Sequence, residues 1–275
     1  MPPAEGGGME IFMKKYVDYM KIGMKEHLVY SGAVWARLFS KIIYLYLQFC
    51  IWSALFTSGC IKNPALDKTN ILRYIVIATI VSTIIECNVI EKINEQIQSG
   101  NIATELIRPI GFKRMLLSRH LGDTVIKILC YTIPLMILAK VSTEMQLVCT
   151  YQLGFGILSI LLAYSIQFLY SLIIGLLAFW FIVTWPINMF LGAIYKLLSG
   201  VWIPVTMFPE MLYKVNLFLP FRAIYAIPVS ILANGMKINV IWQSIGIQII
   251  WLVILYILMQ CIWHVGRRKL VVQGG

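Results

Sequence analysis

Residue types that could do chemistry are few in this sequence, and none forms a catalytic pattern. The three histidines, His27, His120 and His264, are widely separated, and their spacing does not build a metal site. The chain has no G-x-x-x-x-G-K-[ST] phosphate loop, so we do not expect it to bind ATP itself. The patterns G-x-S-x-G and H-E-x-x-H are also absent. We therefore expect no catalytic, cofactor or metal site in this chain, although missing motifs do not exclude an enzyme.

Ionisable side chains inside apolar segments are the remaining candidates. Glu86 lies near the end of the second apolar segment, and Lys196 lies in the outer half of the fifth. A charge in hydrocarbon is costly, so both are candidate residues of a transport pathway. Two simpler explanations stay open. Glu86 could reach water or a nearby lysine, and Lys196 could snorkel toward the membrane surface.

The elements that must position these residues are membrane-spanning helices. Hydrophobic residues make up 60% of the 275 and charged residues only 13%, whereas soluble domains carry about 25% charged residues. A crossing needs about 20 apolar residues, and no stretch is polar enough for a soluble domain. We predict an all-α integral membrane protein with these six transmembrane segments: 39–58, 71–90, 121–141, 153–179, 187–201 and 240–263.

The basic residues orient these segments. The net charge is +11, and the bases cluster before the first segment, after the second and after the last. Six crossings place all three clusters on one side, which the positive-inside rule assigns to the cytoplasm. We therefore predict a multi-pass protein of the cell (inner) membrane with both termini cytoplasmic. Because topology explains the charge, no nucleic-acid partner is expected.

The residues before the first crossing divide into a short leader and a helix. Residues 1–9 are expected to be a flexible leader or cloning remnant before a single membrane domain, 10–275; whether residues 1–8 are native stays open. Residues 10–28 have apolar positions at spacings of three and four and a basic opposite face, which predicts an amphipathic helix. It could lie in the membrane interface or pack on a partner.

Cys60 and Cys149 fall near outer loops, and their pairing stays open.

The region before the last segment is apolar but is interrupted by four prolines, Pro204, Pro209, Pro220 and Pro228. Each proline removes a backbone donor, and unsatisfied backbone in lipid costs several kcal/mol per group. We therefore predict outer re-entrant helices there rather than a seventh crossing.

The loop after the second segment, 91–113, is charged and half-apolar. Ile93 and Ile97 share one helix face, Gly100 is a natural helix stop, and Pro109 ends a second short amphipathic turn. From periodicity alone, two interpretations are equal: a docking surface for a soluble partner, or a helix lying on the membrane.

Three stretches resemble the ABC-2 permease superfamily, in its branch without a large external domain. They are SGNIATELIRP followed by LLSRHLGD, then LSGVWIPVTMFPEMLYKVNLFLPFRAIYAIP, and the terminal WHVGRRKLVVQGG. Their order and spacing agree with the pattern. The sequence departs from it at Thr104 and Glu105, where relatives commonly have an aspartate.

The resemblance implies a type V exporter fold, in which two six-helix subunits, identical or related, each dock on a cytoplasmic ATPase that binds ATP and Mg²⁺. The 10–28 helix would be the elbow helix and 91–109 the coupling helix. The residues expected to contact the ATPase are Glu95, Gln98, Gly100, Asn101, Ile102, Glu105, Leu106, Arg108 and Pro109, with Ile97, Ile102 and Leu106 as apolar centre.

The sequence thus predicts a membrane-spanning exporter subunit that is not an enzyme by itself. It would form half of a translocation pathway within the membrane lipids. Two alternatives are a membrane-embedded lipid-modifying transferase and a passive channel or scaffold. A transferase would need polar residues converging at one depth, and a channel would not need the structured 91–109 loop. The substrate and the transport direction do not follow from the residues.

Overall fold

The structure is a computed structural model, which describes residues 6–29, 31–58, 68–107, 111–142, 150–181, 184–233 and 236–270. Every regular element in these ranges is helical, as predicted. Five helices are long and apolar enough to cross a membrane, and they are Gly32–Thr57, Lys68–Gln98, Phe112–Lys140, Tyr151–Phe179 and Ile238–Arg268. The described residues of the chain therefore form a multi-pass helical membrane protein.

Thirteen α-helices make up the described chain. They are α1 Gly6–Leu28, α2 Ser31–Thr57, α3 Lys68–Ile85, α4 Val89–Gln98, α5 Ile102–Ile107, α6 Phe112–Lys127, α7 Ile133–Ser142, α8 Thr150–Leu176, α9 Trp185–Leu198, α10 Glu210–Leu217, α11 Phe221–Ile224, α12 Ala226–Ala233 and α13 Ile238–Leu270. A π-helical turn, Ile128–Thr132, joins α6 to α7.

Three predicted segments differ from the observed helices. The first was predicted to begin at residue 39, but α2 begins at Ser31. The third was predicted to begin at residue 121, but its helix begins at Phe112 because the basic first turn and the apolar part form one continuous helix. The fifth corresponds to α9, which has 14 residues. At 1.5 Å per residue α9 is about 21 Å long, which is shorter than a bilayer core of about 30 Å.

The α8 helix is the centre of the bundle, and α3, α4, α11, α12 and α13 pack around it. Small residues on α8 allow close approach. A Cβ at Gly175 would lie 2.8 Å from Cδ1 of Ile93 on α4, and one at Gly156 would overlap Leu232 on α12. The Gly175–Ile93 contact fixes α4 directly against α8, and the Gly156–Leu232 contact does the same for α12.

The α1 helix packs along α6 by a close glycine contact. A Cβ at Gly23 would overlap the main-chain oxygen of Arg119, and a Cβ at Gly122 would overlap that of Met20. The Arg119 guanidinium lies 5.5 Å from the ring centroid of Tyr19. The amphipathic helix predicted at 10–28 is present, begins at Gly6, and is docked on its own chain.

The proline-rich region folds as short helices rather than as one crossing. Pro209 and Pro220 directly precede α10 and α11, because proline favours the start of a helix. The α11 and α12 helices are buried against α8, α3 and α13. Gln248 on α13 stabilises this arrangement, since its Nε2 donates 2.8 Å to the main-chain oxygen of Ala223 and its Oε1 accepts from Ser159 at 2.9 Å.

Several predicted features lie outside the described residues. They are residues 1–5 of the expected leader, Cys60, Cys149, Arg108, Pro109 and the side chain of Leu106.

Candidate functional site

The two predicted pathway residues, Glu86 and Lys196, line the same cavity, which has a volume of about 810 Å³. Its wall is formed by α2, α3, α8 and α9, with the first residues of α4 at one end. The lining is mixed. It includes Tyr44, Tyr170 and Tyr195, and polar groups such as Asn188. A cavity of this size within a membrane bundle can hold a molecule with both polar and apolar parts.

Glu86 carries the charge that sequence analysis identified, and it is paired. Its carboxylate accepts a hydrogen bond from the Lys41 ammonium at 2.9 Å, and Lys41 also lines the cavity. The main-chain oxygen of Glu86 accepts from Lys127 at 2.8 Å. One of the two explanations left open for Glu86, a nearby lysine, therefore matches the geometry, while the pair still faces the cavity.

Lys196 lies in the last turn of α9, where a positive charge is favourable beside the helix C-terminus. It is exposed and lines the cavity together with other residues of α9. The end of α9 is held by Tyr74 on α3, whose hydroxyl donates 3.0 Å to the main-chain oxygen of Gly200. Gly200 has φ +89°, which glycine adopts without strain.

A layer of aromatic rings closes one side of this cavity. Tyr195 packs on Tyr170 with ring centroids 5.6 Å apart and on Tyr225 at 5.7 Å. Tyr170 contacts Phe221 edge-on at 5.7 Å. The rings come from α8, α9 and the proline-rich region, so they join the short helices to the cavity wall.

The described residues among the predicted ATPase contacts lie on α4, on α5 and in the turn between them. Glu95, Gln98, Gly100 and Asn101 are exposed, and together they form what we call the docking surface. Gly100 ends α4 as predicted. Its φ is +74°, and its N–H donates 3.2 Å to the carbonyl of Ile97. This left-handed residue turns the chain sharply between the two helices.

Ile102 is a correction to the predicted apolar centre of this contact. Its side chain is fully buried in the main core together with Ile93 and Val89, because the Gly100 turn directs α5 back against the bundle. It holds the docking surface in place and does not face outward. Ile97 and Glu105 are half-buried. These two side chains remain at the edge of the exposed surface.

A comparison with protein families identifies the chain. A family model described as "ABC-2 family transporter protein" matches residues 42–274. The chain belongs to the ABC-2 transporter family. A search of curated proteins found no match. Family membership points to a transporter membrane subunit, and ABC-2 permeases generally work with ABC ATPase subunits.

In this ABC-2 permease, sequence analysis missed a buried ionic network between α1 and α6. Lys127 is 2% exposed and lies 2.8 Å from the Asp123 carboxylate. The other Asp123 oxygen lies 2.5 Å from Nδ1 of His27, and Nε2 of His27 lies 2.8 Å from the Tyr131 hydroxyl. Each charge is thus paired or hydrogen-bonded, as burial requires.

A signal for this network was present in the sequence. Asp123 and Lys127 are opposite charges four residues apart, which places them on one helix face, and both fall inside the predicted segment 121–141. The network connects the permease's first helix to the end of α3, because Lys127 also bonds the Glu86 carbonyl. Lys92 on α4 adds a second link to α1, since its ammonium lies 2.5 Å from the Glu26 carboxylate.

Among the residues that the structure describes, no group of three or more His, Cys, Asp or Glu side chains could hold a metal ion. The charged groups that meet are structural pairs and cavity-lining pairs. The chemistry that the Lys41–Glu86 pair and the mixed cavity lining support is binding of a molecule with polar and apolar parts.

Proposed function

We propose that this permease is the membrane-spanning subunit of an ATP-driven exporter, and that the 810 Å³ cavity is its half of the translocation pathway. The observation that carries the proposal is the position of α4. Ile90 and Glu91 near its first turn line the cavity, while Glu95 and Gln98 near its end belong to the exposed docking surface. One ten-residue helix therefore connects a partner contact to the cavity wall.

The packing of α4 favours transmission of movement. Ile93 is fully buried against Gly175 of α8, so displacement of α4 must also displace the core helix or open this contact. Closely packed interiors transmit such shifts because they have few voids. A partner ATPase that binds one arrangement of α4 more tightly would shift the population of cavity states.

We further propose the topology. The crossings are α2, α3, α6 with α7, α8, α9 and α13. We include α9, although at about 21 Å it is shorter than the bilayer core, because six crossings keep the three basic clusters on one side. The α10–α12 helices are re-entrant on the outer side. Burial of α11 and α12 supports this, because backbone inside a membrane is tolerated when protein covers it. The docked α1 is the elbow helix. Both termini are then cytoplasmic in the cell membrane.

The partners follow from this role. A cytoplasmic ABC ATPase binds ATP and Mg²⁺, and a second permease subunit, identical or related, completes the pathway. The mixed cavity lining, with aromatic rings beside the Lys41–Glu86 pair, fits an amphipathic or lipidic substrate. Export rather than import rests on the resemblance. The family match does not support the two alternatives, a lipid-modifying transferase and a passive channel.

The test uses Cys87, a native cysteine that lines the cavity. A variant retaining only Cys87 is assembled with its ATPase in proteoliposomes and treated with a membrane-impermeant maleimide. We expect labelling, and a several-fold change in its rate when ATP is bound without hydrolysis. The control carries a single cysteine in place of Arg268, which is exposed at the end of α13 and does not line the cavity. Equal rates at Cys87 with and without ATP would contradict the coupling proposal.

The topology has its own test. A cysteine introduced within 61–67 should react with an impermeant reagent added outside intact cells, and one introduced after Lys269 should react only after the membrane is opened. Outside labelling of the C-terminus would exclude six crossings.

A further inference from the structure

A second cavity, of about 510 Å³, lies between α6, α8 and α13, away from the cavity that we assign to transport. Most of its wall is apolar and comes from side chains such as Leu117, Phe168, Leu169, Leu252 and Val253. Val253 is 50% exposed, so the groove opens sideways to the surface of the bundle. In a membrane protein that surface faces lipid chains.

One end of this groove is basic. Lys113 and Arg114, in the first turn of α6, line it together with Gln260 of α13. The Lys113 ammonium donates 2.5 Å to Oε1 of Gln260 and lies 5.6 Å from the ring centroid of Trp263. These contacts hold the ammonium at the mouth of the groove instead of leaving it mobile in water.

The aromatic rings beside the basic end mark the level of the membrane surface. Trp263 stacks on Phe112 with ring centroids 5.6 Å apart and contacts Phe179 at 6.3 Å. Tryptophan is enriched where the hydrocarbon core meets the headgroups. Lys113 and Arg114 therefore lie at headgroup depth, with the apolar part of the groove at the depth of the acyl chains.

Among the residues that the structure describes, the charge at this end has no acidic counterpart. Among the described residues, no carboxylate lies within ion-pair distance of Lys113 or Arg114. The sequence has no Asp or Glu after Glu210, while α13 adds Arg267 and Arg268 at the same end. The first turn of α6 has no side-chain cap, so its N–H groups also favour an anion. A negative group from outside the chain would neutralise this site.

We propose that the groove binds one anionic glycerophospholipid of the membrane. Its phosphate contacts Lys113 and Arg114, and one acyl chain lies along Leu117, Phe168 and Leu252. The site combines an end with two basic residues and a mostly apolar groove, and a free phosphate would leave the apolar part empty. Basic pockets between membrane helices recognise anionic headgroups in this way. This inference requires the membrane location but not the transport proposal.

Native mass spectrometry of the permease purified without its ATPase tests the site. The protein is equilibrated with mixed micelles holding equal amounts of phosphatidylglycerol and phosphatidylcholine. We expect one phosphatidylglycerol molecule retained on detergent dilution, at about tenfold excess over phosphatidylcholine, since each basic residue near the surface adds to anionic lipid binding. Equal retention of both lipids would overturn the proposal.

Two variants and one matched control distinguish lipid binding in this groove from non-specific binding of anionic lipid to a basic protein. The double variant Lys113→Gln/Arg114→Gln should lose the bound lipid, and Val253→Trp should lose it by filling the trough. The control Lys14→Gln/Lys25→Gln removes two exposed bases from α1 and should keep it. Equal loss in the control would show non-specific attraction. Displacement by millimolar glycerol 3-phosphate would show a phosphate site without a lipid requirement. Either result overturns the assignment.

Discussion

The Lys127 ammonium lies 2.8 Å from the Asp123 carboxylate one helical turn before it, and the Lys127 side chain is 2% exposed and the Asp123 side chain 13%. The same carboxylate reaches His27 on α1. A buried charge that loses its partner is strongly destabilising, because the remaining charge keeps its desolvation cost. The His27–Asp123 contact therefore joins the first helix to the membrane bundle, and Lys127 balances the charge of the shared carboxylate.

We expect Lys127→Met to lower the free energy of unfolding in detergent by about 3 kcal/mol, since it leaves Asp123 with only His27. The matched control is Lys21→Met. Lys21 also pairs with an aspartate on its own helix, Asp18 at 3.7 Å, but that pair is mostly exposed. The control should change stability by less than about 1 kcal/mol. Equal effects of the two substitutions would show that the Lys127–Asp123 pair contributes no more to the free energy of unfolding than the exposed pair.

The close contact of α1 with α6 gives a second prediction. Gly23→Ala should destabilise the protein by about 1–3 kcal/mol, because the new Cβ would overlap the main-chain oxygen of Arg119. Gly154→Ala, on α8, meets no atom within 4 Å, and it should be neutral or stabilising by up to about 1 kcal/mol through helix propensity. Thermal unfolding of both variants checks this difference. A stabilised Gly23→Ala variant would mean that the helices are further apart.

Polar contacts inside the bundle give a third prediction. Gln248→Leu should cost about 1–2 kcal/mol, because Ser159 and the Ala223 carbonyl lose their partner in an apolar surrounding. Gln243→Leu changes an exposed glutamine on the same helix and should have little effect. Unfolding by denaturing detergent measures both. If the two variants unfold alike, the re-entrant helices are held by apolar packing alone.

The turn at Gly100 gives a fourth prediction, which concerns docking. Gly100→Val forces a β-branched residue to φ +74°, which costs at least about 1 kcal/mol and shifts the turn after α4. We expect a folded permease that retains less ATPase on affinity purification. Gly246→Val, at an open position on α13, is the control and should retain the ATPase. If the Gly100→Val variant retains as much ATPase as the unchanged protein, ATPase docking does not depend on this turn.

Much of the secondary structure was predictable from the residues alone. The long apolar runs require helices in lipid, because only internal hydrogen bonds satisfy the backbone there. The stop at Gly100 and the breaks in the proline-rich region also follow from local backbone chemistry. The length of α9 did not follow from the apolar run that contains it.

Contacts between distant residues could not be predicted in the same way. Glu86 and Lys196 were each candidates, but only the assembled bundle places α3, α8 and α9 around one cavity that both residues line. The contact of His27 with Asp123 joins residues 96 positions apart. Such pairs depend on how each helix is rotated about its axis, and periodicity gives the apolar face but not the neighbour it meets.

The sequence by itself determined that this chain is a helical membrane protein with a charged loop after its second crossing. The length of each apolar run and the position of each charge depend only on neighbouring residues, so no tertiary contact is needed to find them. The tertiary structure decided that Ile102 is buried while Glu95 and Asn101 are exposed. It also decided that α4 joins the docking surface to the cavity. The physical reason is that burial is a property of the assembled bundle, and each side chain's surroundings exist only after the helices have packed.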